Sequence, residues 1–220
     1  MQETSISSDY FATLAMATAS FRGQTSERRP SAKAVIAALL QAEKAAKQQR
    51  LTYPFDLLLG SWRLCFVSGT RKARHRSGIV LGNGFYVPRV ASAQISFYRQ
   101  SQAESGLGNG EISNQIQFGP LLFQLTGPAQ YLGKKNLLAF DFTQMRLCLF
   151  GQTIYKGGFR GGKAKTEDFA QQSIAKLPFF AFFLVTQGFA GGSSSDFLEQ
   201  AQNFIAARGR GGGLALWSRE

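Results

Sequence analysis

The chain has 220 residues, of which 44% are apolar and 17% charged, so it can bury a sizeable core and does not have the composition of a disordered segment. Twenty phenylalanines suit a thick β core or an apolar cavity, because Phe is bulky and has no polar handle. A formal charge of +12 predicts anionic partners, with an acidic membrane surface and nucleic acid the two obvious classes. No apolar run reaches the roughly 18 residues that a membrane-spanning helix requires. The opening Met1-Gln2-Glu3 has no basic lead of a secretory signal. The expectation is a protein that is soluble or peripheral to a membrane, in a reducing compartment. Cys65 and Cys148 match no metal spacing and read as reduced structural thiols.

Residues 1–50 are helical in character and form a segment expected to pack on the remainder, 51–220. Asp9 is a candidate cap for a short helix in which Tyr10, Leu14, Ala17 and Phe21 share a face. Gly23, Ser26 and Pro30 break it. Ser31 caps a second helix to about Arg50, with Val35, Ile36, Leu39, Leu40 and Ala46 as its stripe. Lys44, Lys47 and Arg50 load its C-terminal end, where cations suit the helix dipole.

After Pro54 the period changes to that of strands. Gly60 opens a stretch in which Trp62, Leu64 and Phe66 alternate with Arg63 and Cys65. The basic run Arg71-Lys72-Ala73-Arg74-His75-Arg76 follows. Gly82-Asn83-Gly84 marks a hairpin turn or a bulge between Ile79–Leu81 and Phe85–Val87. Ile95 and Phe97, then Ile112 to Phe118, then Leu121, Phe123 and Leu125, alternate with polar residues. Gly127-Pro128 ends that run. Gln130–Leu132 and Leu137–Phe142 flank Lys134-Lys135-Asn136. In the second of these, Leu138, Phe140 and Phe142 lie opposite Asp141. Met145–Phe150 follows, with Ile154–Tyr155 as its extension. Short strands at this spacing predict an antiparallel meander, hence a barrel or sandwich. Residues 156–176 are a basic, glycine-rich loop containing Lys156, Arg160, Lys163 and Lys165. Phe179–Val185 is apolar on both faces and predicts a strand either buried on both sides or covered by a helix. Asp196 and Glu199 read as a capping box for a covering helix with Phe197, Leu198, Ala201, Phe204 and Ile205 on one stripe, stopped at Gly209. The glycine-rich turn from Arg208 to Gly213 then leads into a last strand, Leu214 to Trp217 and beyond.

The Gly-x-Trp opening at Gly60-Ser61-Trp62 resembles the first strand of lipocalin-like barrels, in which first and last strands meet. Three pieces together, Leu59-Gly60-Ser61-Trp62-Arg63-Leu64-Cys65-Phe66, Gly84-Phe85-Tyr86-Val87-Pro88-Arg89-Val90, and Ala207-Arg208-Gly209 through Trp217, resemble the plastid lipid-associated protein family, the fibrillins of plastids and cyanobacteria. Residues from about 35 to 220 fit that family's order of elements. The chain departs from it in the terminal turn, where Arg210-Gly211-Gly212 stands in place of an acidic residue, and in the basic run from Arg71. The resemblance implies a mainly β fold with flanking helices (α+β). Its core would be a lipocalin-like antiparallel β-barrel, with N-terminal helices and one helix before the last strand. It also implies noncatalytic binding of a small hydrophobic molecule (a lipid, carotenoid or quinone) at a photosynthetic membrane or lipid-droplet surface. The location would be the cytoplasmic side of a thylakoid membrane or a plastid.

Residues that would line such a cavity are Trp62, Leu64, Phe66, Ile95, Phe97, Phe123, Phe140, Phe142, Phe183 and Arg208, although plain core packing is the competing role for any single Phe. Arg208 or Arg219 is a candidate to stack on Trp62. Residues that would meet anionic headgroups are Arg71, Lys72, Arg74, Arg76, Lys156, Arg160, Lys163 and Lys165. The same basic segments and the Arg-Gly turn also suit RNA, but no nucleic-acid-binding motif accompanies them, so membrane ranks first. His75 is the single histidine, which leaves no histidine metal cluster and no evident triad. Gly106-Leu107-Gly108-Asn109-Gly110 lacks the strand-then-helix setting of a phosphate loop and reads as a hairpin connection. Glu104, Glu111 and Asp141 are isolated carboxylates. No catalytic residue, metal or required cofactor is assigned. Two alternatives stay open: a bilin lyase of lipocalin-like fold, and a structural membrane or lipid-droplet adaptor with no internal ligand.

Overall fold

In the computed structural model the described residues are 3–72, 79–99, 108–159, 169, 176–186 and 203–220. The elements are helices α1 (Glu3–Arg22) and α2 (Ala32–Gln49), then strands β1 (Gly60–Lys72), β2 (Ile79–Tyr86), β3 (Ala91–Arg99), β4 (Gly108–Phe118), β5 (Leu121–Leu132), β6 (Leu137–Phe140), β7 (Gln144–Leu149), β8 (Gln152–Gly158), β9 (Phe179–Val185), β10 (Phe204–Gly209) and β11 (Leu214–Arg219). Pairing runs in the order β4-β3-β1-β11-β10-β9-β6-β5, and β5 also pairs with β4. Eight strands thus close a circuit, the connectivity of a β-barrel. Each described register is antiparallel. Among the described residues the fold is mainly β with the helices α1 and α2, consistent with a lipocalin-like barrel with flanking helices.

The chain divides into two compact units. The first gathers residues 1–51, 65–86 and 182–219. Its core joins Leu14, Ala17, Val35, Leu39 and Ala46 of the helices to Phe66, Phe183, Phe204, Ala206, Leu214 and Leu216 of the strands. Ser31 caps α2 by accepting from the Ala34 N–H at 3.2 Å, and Arg50 ends the helix in the left-handed conformation, φ 50°. Leu40, expected on the stripe, is exposed; the buried positions there are Ala38, Ala42 and Glu43. Helix α1 begins well before Asp9, because residues 3–8 contain no Gly or Pro to stop the ladder. Asp9 is therefore inside the helix, where its carbonyl accepts from Thr13 Oγ1.

Three other expectations in the first unit are settled by pairing. Gly82-Asn83-Gly84 makes a bulge, the second of the two options, because Ser68 faces Gly84 and Thr70 faces Leu81. Two residues of β2 therefore oppose Gly69 alone. Gly84 is required there: a Cβ would collide with the Phe66 ring. Phe204 and Ile205 are strand and not helix, opposite Ser218 and Trp217. Phe204 to Ala207 are all buried, so both faces of β10 are covered, and a fully apolar run carries no period that separates helix from strand. The rest of the expected helix, 196–202, lies outside the described residues. Gly209 ends β10 as the start of the turn, its N–H donating to the Gly213 carbonyl at 2.9 Å. Cys65 is buried as a reduced thiol.

The second unit comprises residues 52–64, 87–181 and 220. Strand β5 runs through Gly127-Pro128, where a break was expected. The reason is a change of partner: β5 pairs β7 over Leu121–Thr126 and β6 over Ala129–Leu132. At the handover, Gly127 lies so close to the Asp141 carbonyl that no side chain fits. Ile154 and Tyr155 belong to a separate strand, β8, which returns along β7 through the two-residue turn Phe150-Gly151. Gly108 to Gly110 open β4, and residues 106–107 lie outside the described residues. The face of β6 and β9 that carries Ala139 and Phe179 is covered by Phe169 and Leu177. Cys148 is buried and free.

Candidate functional site

The registers of the second unit collect most of the alternating apolar residues on one sheet face. Trp62 of β1 faces Ile95 of β3, Ile95 faces Asn114 of β4, Asn114 faces Leu125 of β5, and Leu125 faces Met145 of β7. The row on one side runs Phe97, Ile112, Gly127; the row on the other runs Ala93, Ile116, Phe123, Leu147. Side chains two apart in a strand share a face, so the rows form one surface. Phe140 joins it through its pairing with Ala129. Its ring lies 5.2 Å from Phe142 and is stacked 5.0 Å from Phe180.

The segment from Thr52 to Leu59 seals one end of this face. Trp62 Nε1 donates to the Leu58 carbonyl at 2.7 Å, and Tyr131 Oη donates to the Tyr53 carbonyl at 2.8 Å. The Phe55 ring stacks on Tyr131 at 5.4 Å. Gly110 leaves room for it, since a Cβ there would stand 2.9 Å from Phe55. Burial pushes the Tyr131 phenol up to about 12, because the phenolate would lose its water. Away from this end burial falls in steps. Trp62, Phe97 and Ile112 are buried; Asn114, Phe123, Leu125 and Leu147 are half-buried; Ile116, Phe118 and Leu121 are exposed. The face is therefore dry at one end and open at the other.

The opposite face is polar. Arg63, Gln94, Gln115, Gln124, Arg146 and Lys156 form a row across six strands. Gln115 Nε2 donates to Gln94 Oε1, Gln94 Nε2 donates to Glu220 Oε2 at 2.6 Å, and Gln124 Nε2 donates to Ser113 Oγ at 2.9 Å. This ladder was not anticipated. Its signal, a glutamine at the polar position of three strands, becomes legible only when the register aligns them.

Of the cavity candidates, Trp62, Ile95, Phe97, Phe123, Phe140 and Phe142 belong to this surface, with Leu64 two residues beyond Trp62. The remaining three belong to the first unit. Phe66 packs edge-on against Tyr86 at 5.2 Å, and Phe183 lies in the helix–strand core. Arg208, one of the two candidates to stack on Trp62, is committed to other partners. Its Nε donates to Glu43 Oε1 at 2.9 Å, Nη2 to Glu43 Oε2 at 2.5 Å and Nη1 to the Gly212 carbonyl at 2.5 Å. This bidentate pair holds the Glu43 carboxyl below the usual carboxylate range, against the opposing effect of burial. Of the expected headgroup contacts, Arg71 and Lys72 end β1 opposite Val80 and Ile79, and Lys156 is exposed on β8. Arg74, His75, Arg76, Arg160, Lys163 and Lys165 lie outside the described residues.

A solvent-open cleft of about 170 Å³ lies among Gly110, Glu111, Thr126, Gly127, Pro128, Thr143 and Gln144. Glu111 is its single titratable side chain, so its lining holds no acid–base pair. Among the described residues no three His, Cys, Asp or Glu side chains come together as metal ligands, and no helix is long and apolar enough to cross a membrane. The chain matches no protein-family model, no curated protein and no solved structure.

Proposed function

We propose that this protein binds a small hydrophobic molecule, a lipid, carotenoid or quinone, without catalysing its conversion, at a membrane or lipid-droplet surface. The observation that carries this reading is the graded apolar face of the second unit. It is sealed by Leu58, Tyr53 and Phe55 at one end and half-open around Phe123, Leu125 and Leu147. An acyl or isoprenoid chain laid on that face gains roughly 0.8 kcal/mol per buried CH₂. Half-buried side chains are those a ligand can still cover, whereas Trp62 and Phe97 have nothing left to gain. The resemblance of the Gly-x-Trp strand and of the order of elements to the plastid lipid-associated family motivates this reading, and with it a thylakoid or plastid location and an anionic membrane partner. The test is displacement of a fluorescent fatty-acid probe by carotenoids, quinones or free fatty acids. Saturable probe binding with competitive displacement supports the carrier. Failure of every apolar probe to bind removes it and leaves a surface adaptor without internal ligand.

A further inference from the structure

Three turns of the second unit carry apolar residues where turns ordinarily carry Gly, Asn, Asp or Ser. Val90 precedes β3, Phe118 opens the β4–β5 turn and Phe150 opens the β7–β8 turn. They are 71%, 61% and 79% exposed. The turns are neighbours. Ala91 pairs with Phe118, and the Phe150 N–H donates to the Pro120 carbonyl at 2.9 Å. Phe150 is the sharpest of the three. It has φ 49° and Gly151 has φ 79°, a two-residue turn with both residues left-handed, the position that selects Asn-Gly. A bulky side chain there carries backbone strain and has an exposed ring, so the folded unit itself gains little from it.

Within the hairpin segments themselves the charge is of one sign, and the Glu220 carboxylate meets Gln94, four residues from Val90. Residues 88–99, 112–126 and 142–158 include Arg89, Arg99, Arg146 and Lys156 and no Asp or Glu. Arg99 is taken by Asp56. Arg89 adjoins Val90, while Arg146 and Lys156 pair across β7 and β8 and are exposed. Four residues of strand place Arg146 about 13 Å from Phe150. That spacing lets aromatic tips reach the acyl boundary while the cations remain among headgroups.

We propose that this edge, with Phe118, Phe150 and Val90 leading and Arg89, Arg146 and Lys156 behind, is where the protein inserts into the interface of an anionic bilayer. The proposal rests on the membrane part of the function above and is independent of the internal ligand. It assigns the contact to the hairpin tips of the second unit, sharing only Lys156 with the basic stretches 71–76 and 156–165.

The test is co-sedimentation with phosphatidylglycerol–phosphatidylcholine vesicles. Phe150→Asn creates the Asn-Gly pair that this turn favours, so the melting temperature should hold or rise while vesicle partition falls about tenfold. Phe118→Ser added to it should lower partition further, and replacing phosphatidylglycerol by phosphatidylcholine should weaken the wild type. Unchanged vesicle binding in the double variant, with salt still abolishing it, overturns the proposal and returns the contact to the basic stretches. A wild type that self-associates, with Phe150→Asn releasing monomers whose vesicle binding is unaltered, overturns it in favour of a second copy of the chain. A wild type that binds no vesicle removes both this inference and the membrane part of the function, whereas the ligand part is decided separately by probe displacement.

Discussion

Glu43 is a buried carboxylate on the apolar stripe of α2, and its removal should unsettle the first unit more than its single charge suggests. The side chain receives two hydrogen bonds from the Arg208 guanidinium, at 2.9 and 2.5 Å, and one from Lys47 Nζ at 3.0 Å. Arg208 in turn holds the Gly212 carbonyl in the β10–β11 turn. Lys47 is mostly exposed and contributes little, so the worth of the site lies in the Arg208 pair. Glu43→Ala leaves a partly buried guanidinium without its carboxylate, a change that costs about 3 kcal/mol. At roughly 2–4 °C per kcal/mol for a chain of this size, the melting temperature should fall by about 6–12 °C. Glu43→Met with Arg208→Met removes both charges together and should cost far less than the sum of the single changes. The pH dependence adds a second reading. The carboxyl is held below its ordinary value near 4.5 chiefly by Arg208, so the folded state stays ionised where the unfolded chain has begun to bind protons. Its contribution is complete above that ordinary value and is lost as pH falls through the lower folded value. Thermal melts of wild type and Glu43→Gln from about pH 7 to about pH 3 should show the wild type losing its advantage at the acid end. A Glu43→Ala shift of under about 1 °C would mean that the pair is solvated and the packing argument fails.

Trp62→Ala removes a fully buried indole and its bond to the Leu58 carbonyl, and should cost about 3–5 kcal/mol, read as a lower denaturant midpoint; an unchanged midpoint would place the indole in water. Tyr86 and Tyr131 should ionise late, both pushed by burial up to about 12, so a tyrosinate absorbance titration should show a late step that shrinks in Tyr86→Phe and in Tyr131→Phe. The neutral phenols favour the folded state, so their contribution is complete below the ordinary value of 10.0 and is lost as pH rises towards 12. A titration with no late step would contradict the burial of both rings.

Much of the chain announced itself locally. Ser31 and Arg50 bracket α2 because a hydroxyl cap and a terminal turn are decisions taken within a few residues. The alternations around Trp62, Ile95, Phe97, Phe123 and Phe140 gave strand and facing, because a period of two needs no knowledge of the partner. The glycine-rich turn before the last strand is legible for the same reason.

Other features depended on partners distant in sequence. Gly127-Pro128 reads as a break, yet β5 passes through it, because β6 takes over there from β7 as its neighbour. Phe204 and Ile205 fit a helical stripe, yet β11 pairs with them, and burial on both faces erases the period that would have distinguished the two. Phe150-Gly151 lacks the Asn-Gly signature of its turn, so β8 read as a continuation of β7. Arg208 could have served any nearby ring or carboxylate. Its assignment to Glu43, 165 residues away, follows from where α2 lies in the first unit. The candidate site divides in the same way. Which residues are apolar and alternate is a property of each strand alone. That Trp62, Ile95, Phe123 and Phe140 share one surface, dry at the Phe55 end and open towards Phe118, is set by registers between strands, and registers are long-range pairings that no local window contains.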